Sequence, residues 1–64
     1  MQTLKEAREE RGVKQVTIAK AIGISRQTYA NYEKNPHRMP VYAAEKACEF
    51  LGVPVTDLFF ANNG

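Results

Sequence analysis

The segment that most constrains the fold is residues 15–35, where two short helical patterns flank a tight turn. In the first pattern three apolar residues share one helix face: Ile18, Ala19 and Ile22. Gly23 can adopt the left-handed conformation that ends a helix, and Ser25 can accept a hydrogen bond from the first free amides of the next helix. The segment therefore predicts two helices joined by a tight turn, Gln15–Ile22 and Arg26–Lys34.

The second of these helices has an aromatic face and a polar face. Tyr29 and Tyr32 are three residues apart and share the face expected to be buried. We expect Tyr32 in the core; for Tyr29 a phosphate contact through the hydroxyl is an open alternative. The outward face then presents Arg26, Gln27, Ala30 and Asn31. Arg and Gln carry the donor groups that read guanine and adenine edges in a major groove, so the helix suits DNA.

The composition limits the chain to one small domain, residues 1–64, with a single core. Hydrophobic residues make up 44% of it, which is enough to fold. The net charge of +2 is too small to indicate a nucleic-acid partner by itself. Residues 11–38, however, contain six bases and one acid, Glu33. The basic excess therefore falls on the segment predicted to face DNA.

Several classes of protein are not expected. A single cysteine, Cys48, cannot form an internal disulfide or a metal cluster, and its place on an apolar helix face predicts a buried thiol. His37 has no constellation of catalytic partners around it, so no enzymatic activity is expected. No apolar run is long enough to cross a membrane, and the charged start is unlike a secretory signal. We expect a cytoplasmic protein without cofactor, metal or small-molecule ligand.

The positions of capping residues, glycines and prolines along the chain predict an all-α fold of five short helices. Thr3 and Glu6 match a capping box at the start of the first helix, which Gly12 ends. Residues 35–39 form the clear loop. The fourth helix is expected over residues 40–51, and its inward stripe consists of Ala44, Ala47, Cys48 and Leu51. Pro54 opens the predicted fifth helix.

In this arrangement the chain resembles the Cro and lambda-repressor type of helix-turn-helix domain, the Xre-like regulators of bacteria and phages. The resemblance covers residues 4–59 and leaves 60–64 as a tail. It rests on LKEAREERG at 4–12, Gln15, Ile18 and Ala19, GISRQT at 23–28, NYE at 31–33, LGV at 51–53 and LF at 58–59. It implies a compact five-helix bundle that binds double-stranded DNA.

The resemblance also implies roles for individual residues. Base edges would be met by Arg26, Gln27 and Asn31. The sugar-phosphate backbone would be held on either side by Gln15, Thr28, Lys34, Asn35 and Arg38. Gln15 would also brace Arg26, and Arg8 would form a buried ion pair with Glu33. The residues themselves favour that pair, because a lone acid in a basic segment that approaches phosphates needs neutralising.

The chain departs from the family pattern at a few positions. Lys14 stands where a Ser or Thr cap is usual, so the second helix is expected to depend on tertiary contacts. Tyr29 occupies a position that is more often Ile or Val. The turn after the third helix carries Asn35 and Pro36 where a glycine is frequent, and no N-terminal arm is expected before Leu4.

Together these features predict a transcriptional regulator, a repressor that binds a palindromic operator as a homodimer. Phe59 and Phe60 are adjacent, so one of them is expected to remain exposed and to anchor the dimer. The alternative is a protein-binding module with the same fold, such as an antitoxin or an anti-repressor. Salt-dependent binding to random duplex would separate the two classes.

Overall fold

A computed structural model describes residues 2–58 of the chain. The described residues form four α-helices, α1 (Leu4–Glu10), α2 (Gln15–Ile22), α3 (Arg26–Lys34) and α4 (Val41–Leu51). Two single turns of 3₁₀ helix follow α3 and α4, at Pro36–Arg38 and Val55–Asp57. The all-α class is confirmed, and the predicted bounds of α2 and α3 coincide with the observed ones.

The predicted count of five helices is wrong. After Pro54 the chain makes only one 3₁₀ turn, and Leu58 has extended backbone angles (φ −109°, ψ 147°). Leu58 then forms an isolated parallel bridge with Gln2, and the Gln2 amide donates to the Asp57 carbonyl at 3.3 Å. Extended backbone at Leu58 places its side chain in the core, and three residues are too few to offset the cost of starting an α-helix.

Local capping explains where α1 and α3 begin. The Thr3 hydroxyl accepts from the Glu6 amide at 3.1 Å, and the Glu6 carboxylate accepts from the Thr3 amide at 2.9 Å. Ser25 caps α3 by accepting from the Thr28 amide at 3.1 Å. Lys14 makes no such bond at the start of α2, as predicted. The first helix ends at Glu10, slightly before Gly12.

The turn between α2 and α3 depends on Gly23, whose φ of 89° lies in the left-handed region. Its amide donates back to the carbonyls of Ala19 and Lys20, and the Ile24 amide also donates to Ala19. These bonds satisfy the free carbonyls at the end of α2 within a few residues. After this turn α3 packs directly against α2.

A single core lies between the helices, and α4 supplies much of it. The inward residues of α4 are buried as predicted, together with one further alanine: Ala43, Ala44, Ala47, Cys48 and Leu51. Burial raises the pKa of the Cys48 thiol, which keeps it neutral. Small alanines on this face allow α4 to approach α2 closely, so the α2–α3 pair is carried on a rigid support.

The two tyrosines of α3 differ in how deeply they are buried. Tyr29 is fully buried, whereas Tyr32 is only partly buried and packs against the edge of the core. A phosphate contact by the Tyr29 hydroxyl is therefore ruled out, because the side chain has 0% exposure. A buried tyrosine needs a partner for its hydroxyl, and that partner is described below.

Candidate nucleic-acid interface

The outward face of α3 carries three exposed polar side chains, Arg26, Gln27 and Asn31. They lie in one open cleft that also receives side chains from α1 and α2. The residues that line this cleft are Lys5, Gln15, Arg26, Gln27, Ala30, Asn31, Glu33 and Lys34. The three residues predicted to meet bases are thus on the same surface as two predicted backbone contacts.

Three other predicted backbone contacts lie outside the cleft. The Thr28 hydroxyl accepts from the Ser25 hydroxyl at 2.9 Å, next to the start of α3. The Asn35 amide group donates to the Asn31 carbonyl at 3.4 Å, just past the end of α3. Arg38 is exposed in the 3₁₀ turn that follows. These residues flank the ends of α3, on either side of the cleft residues.

Lys5 is a cleft residue that the sequence reading missed. It is exposed on α1, one turn before Arg8, whose side chain points toward the end of α3. Residues three apart on a helix share a face, so Lys5 follows Arg8 to the same side of the molecule. Since the sequence analysis already predicted that Arg8 pairs with Glu33, the three-residue spacing from Lys5 to Arg8 could have identified Lys5 as a residue of the cleft. Its charge adds to those of Arg26 and Lys34 in the cleft.

Glu33 is the only acid on α3, and its carboxylate is enclosed by hydrogen-bond donors. Its side chain is 4% exposed, and that of Arg8 is 10% exposed. Arg8 donates from Nε to Oε2 at 2.6 Å and from Nη2 to Oε1 at 3.3 Å. Gln15 Nε2 donates to Oε1 at 2.9 Å, and the Tyr29 hydroxyl donates to Oε2 at 2.5 Å. All four bonds converge on one carboxylate from three different helices.

The surroundings of this carboxylate determine its charge. Burial by itself raises the pKa of Glu33, but the hydrogen bonds from Arg8, Tyr29 and Gln15 and the charge of Arg8 outweigh it, so the pKa lies below its ordinary value. Arg8 in turn has a raised pKa, chiefly through its hydrogen bond to Glu33. Both groups stay ionised, and the one negative charge of α3 is enclosed by its donors, with little exposure in the cleft.

Arg8 also anchors the chain that enters α2. Its Nη1 donates to the Val13 carbonyl at 2.8 Å, and the Val13 amide donates to the Arg8 carbonyl at 3.1 Å. Every nitrogen of the guanidinium therefore has an acceptor within the described residues, since Nε and Nη2 reach Glu33. The pair holds α1, the connection to α2, and the end of α3 in one fixed arrangement.

Gln15 links this buried group to the surface. Its amide nitrogen donates to Glu33, and its carbonyl oxygen faces Arg26 Nη1 at 3.4 Å, which is a long contact. An ionised carboxylate accepts but cannot donate, so Gln15 must turn its NH₂ group inward and its oxygen outward. The first residue of α3 thus has an acceptor beside its guanidinium within the fold itself.

Phe59 and Phe60, the predicted dimer anchors, lie outside the described residues. Across residues 2–58, no three His, Cys, Asp or Glu side chains come together as a metal site would need. In the same part of the chain, every helix is too short or too polar to cross a membrane.

Comparison with known proteins agrees with this geometry. The chain is 34% identical over 55 residues to the cryptic phage CTXphi transcriptional repressor RstR of Vibrio cholerae, a match that covers 86% of this chain. The chain spans about half the length of that relative, 50%. No solved structure matches the chain. Residues 4–58 match the helix-turn-helix family. The resemblance noted in the sequence is therefore confirmed, and the chain belongs to the helix-turn-helix family.

Proposed function

We propose that this chain is a sequence-specific double-stranded DNA-binding transcriptional regulator of the bacterial or phage type, not an enzyme, and that it acts as a repressor. The observation that carries the proposal is the cleft along α3, where donor side chains are exposed beside three cationic ones while Glu33 is buried. The similarity to a phage transcriptional repressor supports the same activity. Such a regulator would act in the cytoplasm, where bacterial and phage DNA is transcribed.

In this proposal α3 enters the major groove. Arg26 and Gln27 lie on its first turn, and Asn31 lies one turn later on the same exposed face. In helix-turn-helix complexes the N-terminal part of the second helix contacts base edges, and Arg and Gln form bidentate pairs with guanine and adenine. We assign the backbone to the flanking polar residues: Gln15, Thr28, Lys34, Asn35 and Arg38, with Lys5 added from the structure.

We further propose that the operator is palindromic and that two copies bind it. The longest extent of the described residues is 28 Å, whereas half-sites on one face of DNA are separated by about 34–36 Å. One copy therefore covers one half-site, and a two-fold dimer is the simplest arrangement that reads two of them. A single small domain also buries too little surface for tight operator binding.

The experiment is a selection of bound sites from a random duplex pool, followed by titrations of the best site. Arg26→Ala or Gln27→Ala is expected to cost roughly 1–3 kcal/mol on that site and to relax preference at one or two positions. Lys34→Ala is expected to weaken all sequences alike and to reduce the salt slope by about one. Lys20→Ala is the matched control, because Lys20 is exposed on α2 but does not line the cleft.

The outcomes separate the competing activities. A ranking of sites that stays the same in Arg26→Ala contradicts base reading by that residue. If the protein binds duplex no better than single strands, with no selected site and no salt dependence, the protein-binding alternative is favoured and the proposal fails.

A further inference from the structure

We propose that the Tyr29 hydroxyl is a positioning group for DNA reading: through Glu33 and Gln15 it sets the orientation of the Arg26 guanidinium. This inference rests on the proposed function, because it gives Arg26 a base to read. It begins from an unusual placement, a fully buried tyrosine whose hydroxyl ends on a carboxylate. An apolar side chain would fill the same space in the core, so packing alone does not account for the hydroxyl.

The first step is what Tyr29 does to Glu33. Tyr29 and Glu33 are four residues apart on α3, so they lie on the same helix face. The hydroxyl donates to Oε2 at 2.5 Å, where Arg8 Nε also donates at 2.6 Å. The last torsion of a glutamate is broad and weakly restrained by itself. Two strong donors on Oε2 therefore hold the carboxylate in one plane and leave Oε1 directed toward Gln15.

The second step is what Glu33 does to Gln15. Oε1 receives Gln15 Nε2 at 2.9 Å and only a longer bond from Arg8 Nη2, at 3.3 Å. Without the Tyr29 hydroxyl the carboxylate can rotate into a symmetric, two-pronged pairing with Arg8, which is the geometry that the guanidinium prefers. Arg8 would then compete with Gln15 for Oε1. The tyrosine thus keeps the Arg8 bond to that oxygen long and the Gln15 bond short.

The third step is what Gln15 does to Arg26. With one N–H of its NH₂ group on Glu33, Gln15 is held with its oxygen toward the surface, 3.4 Å from Arg26 Nη1, and the second N–H can still donate to a phosphate. A guanidinium with an acceptor on one side samples fewer rotamers and loses less entropy when it pairs with a base. Bidentate reading of guanine also requires the two outward N–H groups to be aligned. The buried hydroxyl would therefore influence specificity from a residue that never touches DNA.

The test variant is Tyr29→Phe, which removes only the hydroxyl. The matched control is Tyr32→Phe, on the same helix, because the Tyr32 hydroxyl makes no hydrogen bond within residues 2–58. Binding is measured at a temperature where circular dichroism shows all variants fully folded. Each is titrated with the selected operator, with the operator changed at the base pair that Arg26→Ala identifies, and with random duplex.

Tyr29→Phe is expected to reduce discrimination at that base pair by about three- to tenfold, because the guanidinium is less well aligned. Affinity for random duplex should change much less, since every assigned backbone contact except Gln15 is independent of the Tyr29 hydroxyl. Tyr32→Phe should match the parent. In an Arg26→Ala background, Tyr29→Phe should cause no additional loss of discrimination. The proposal is overturned if Tyr29→Phe discriminates between the two operators as well as the parent does. It is also overturned if Tyr29→Phe loses as much discrimination in the Arg26→Ala background as it does in the parent.

A second readout separates this proposal from the proposed function. In the DNA-free protein, NMR signals of the Gln15 side-chain amide and the Arg26 Nε–H are expected to shift in Tyr29→Phe and to remain unchanged in Tyr32→Phe. If Arg26→Ala leaves the ranking of sites unchanged, base reading fails, but these signals still decide whether Tyr29 orients Gln15. Unshifted signals in Tyr29→Phe overturn the positioning role whatever the DNA results are.

Discussion

At the scale of single residues, Glu33 is the side chain that connects three helices. One carboxylate joins α1, the first residue of α2 and the middle of α3, because Arg8, Gln15 and Tyr29 all donate to it. Few other side chains in so small a domain are bonded to so many elements. Substitutions here should therefore affect stability as well as DNA binding.

Glu33→Ala is expected to lower the free energy of unfolding by roughly 3–5 kcal/mol, because buried Arg8 then keeps only the exposed Glu9 carboxylate, 3.9 Å away, as a counter-charge. That loss is comparable to the whole stability of a domain of this size. Urea unfolding followed by circular dichroism measures it, with osmolyte added if the variant is partly unfolded. A cycle with Arg8→Ala and the double variant gives the coupling, and a value near zero would show that the pair contributes nothing specific.

Because Glu33 is ionised in the folded protein, the free energy of unfolding should decrease at low pH. The pKa of Glu33 in the folded protein lies below its ordinary value of 4.5, so the folded state holds the ionised form more strongly than the unfolded chain does. This contribution is complete above about pH 4.5 and is lost as the pH falls through the folded pKa. Urea unfolding between about pH 7 and pH 3 should show a shallower decline for Glu33→Gln than for the parent. Parallel declines would contradict this assignment.

At the scale of elements, α2 and α3 begin with opposite capping chemistry. Ser25 and Lys14 have similar extended backbone angles, but only Ser25 accepts a hydrogen bond from its helix. The start of α3 is thus anchored by its own sequence, whereas α2 is held by packing of Ile18, Ala19 and Ile22. Substitutions at the two cap positions should therefore have opposite effects on stability.

Ser25→Ala is expected to cost about 1 kcal/mol, and Lys14→Ser to add about 0.5–1 kcal/mol, because each changes one capping bond to an otherwise free amide. Lys14→Ala is the control, since it removes a side chain that caps nothing. Thermal unfolding measures all three. The explanation is wrong if Ser25→Ala and Lys14→Ala have the same effect.

At the scale of the whole molecule, we propose that this domain, whose described residues extend over 28 Å, reads one half-site and needs a second copy for affinity. The sequence prediction places the dimer anchor at Phe59 or Phe60, outside the described residues. Among the described residues, α4 leaves Tyr42 and Phe50 about half exposed on its outer side, at 54% and 46%. Substitutions in these two regions test which of them forms the dimer interface.

Sedimentation equilibrium of the parent, Phe60→Ser and Phe50→Ser distinguishes them. Burial of one exposed Phe contributes roughly 1.5–3 kcal/mol per subunit, so Phe60→Ser is expected to turn a weak dimer into a monomer, whereas Phe50→Ser is expected to leave it intact. The reverse pattern would move the interface to α4. A parent that stays monomeric at high micromolar concentration, and binds its operator as one copy, would contradict the dimer altogether.

The sequence by itself determined the elements, because the signals that start and end them are local. The capping box at Thr3, the left-handed Gly23 and the Ser25 cap each act within a few residues, so the start of α1, the end of α2 and the start of α3 followed from them. The polar outward face of α3 followed from helical spacing in the same way. The bridge of Leu58 to Gln2 joins opposite ends of the chain, and local signals wrongly predicted a fifth helix there.

Tertiary structure alone decided the contacts that join separate elements. The family resemblance indicated Arg8 with Glu33, but which tyrosine would be buried, and which donors would share the carboxylate, depended on how α1, α2 and α3 pack. Lys5 likewise reaches the cleft only because α1 lies beside the end of α3. Helical spacing determines the face on which a side chain lies, but the neighbour that it meets is set by packing between residues far apart in the chain.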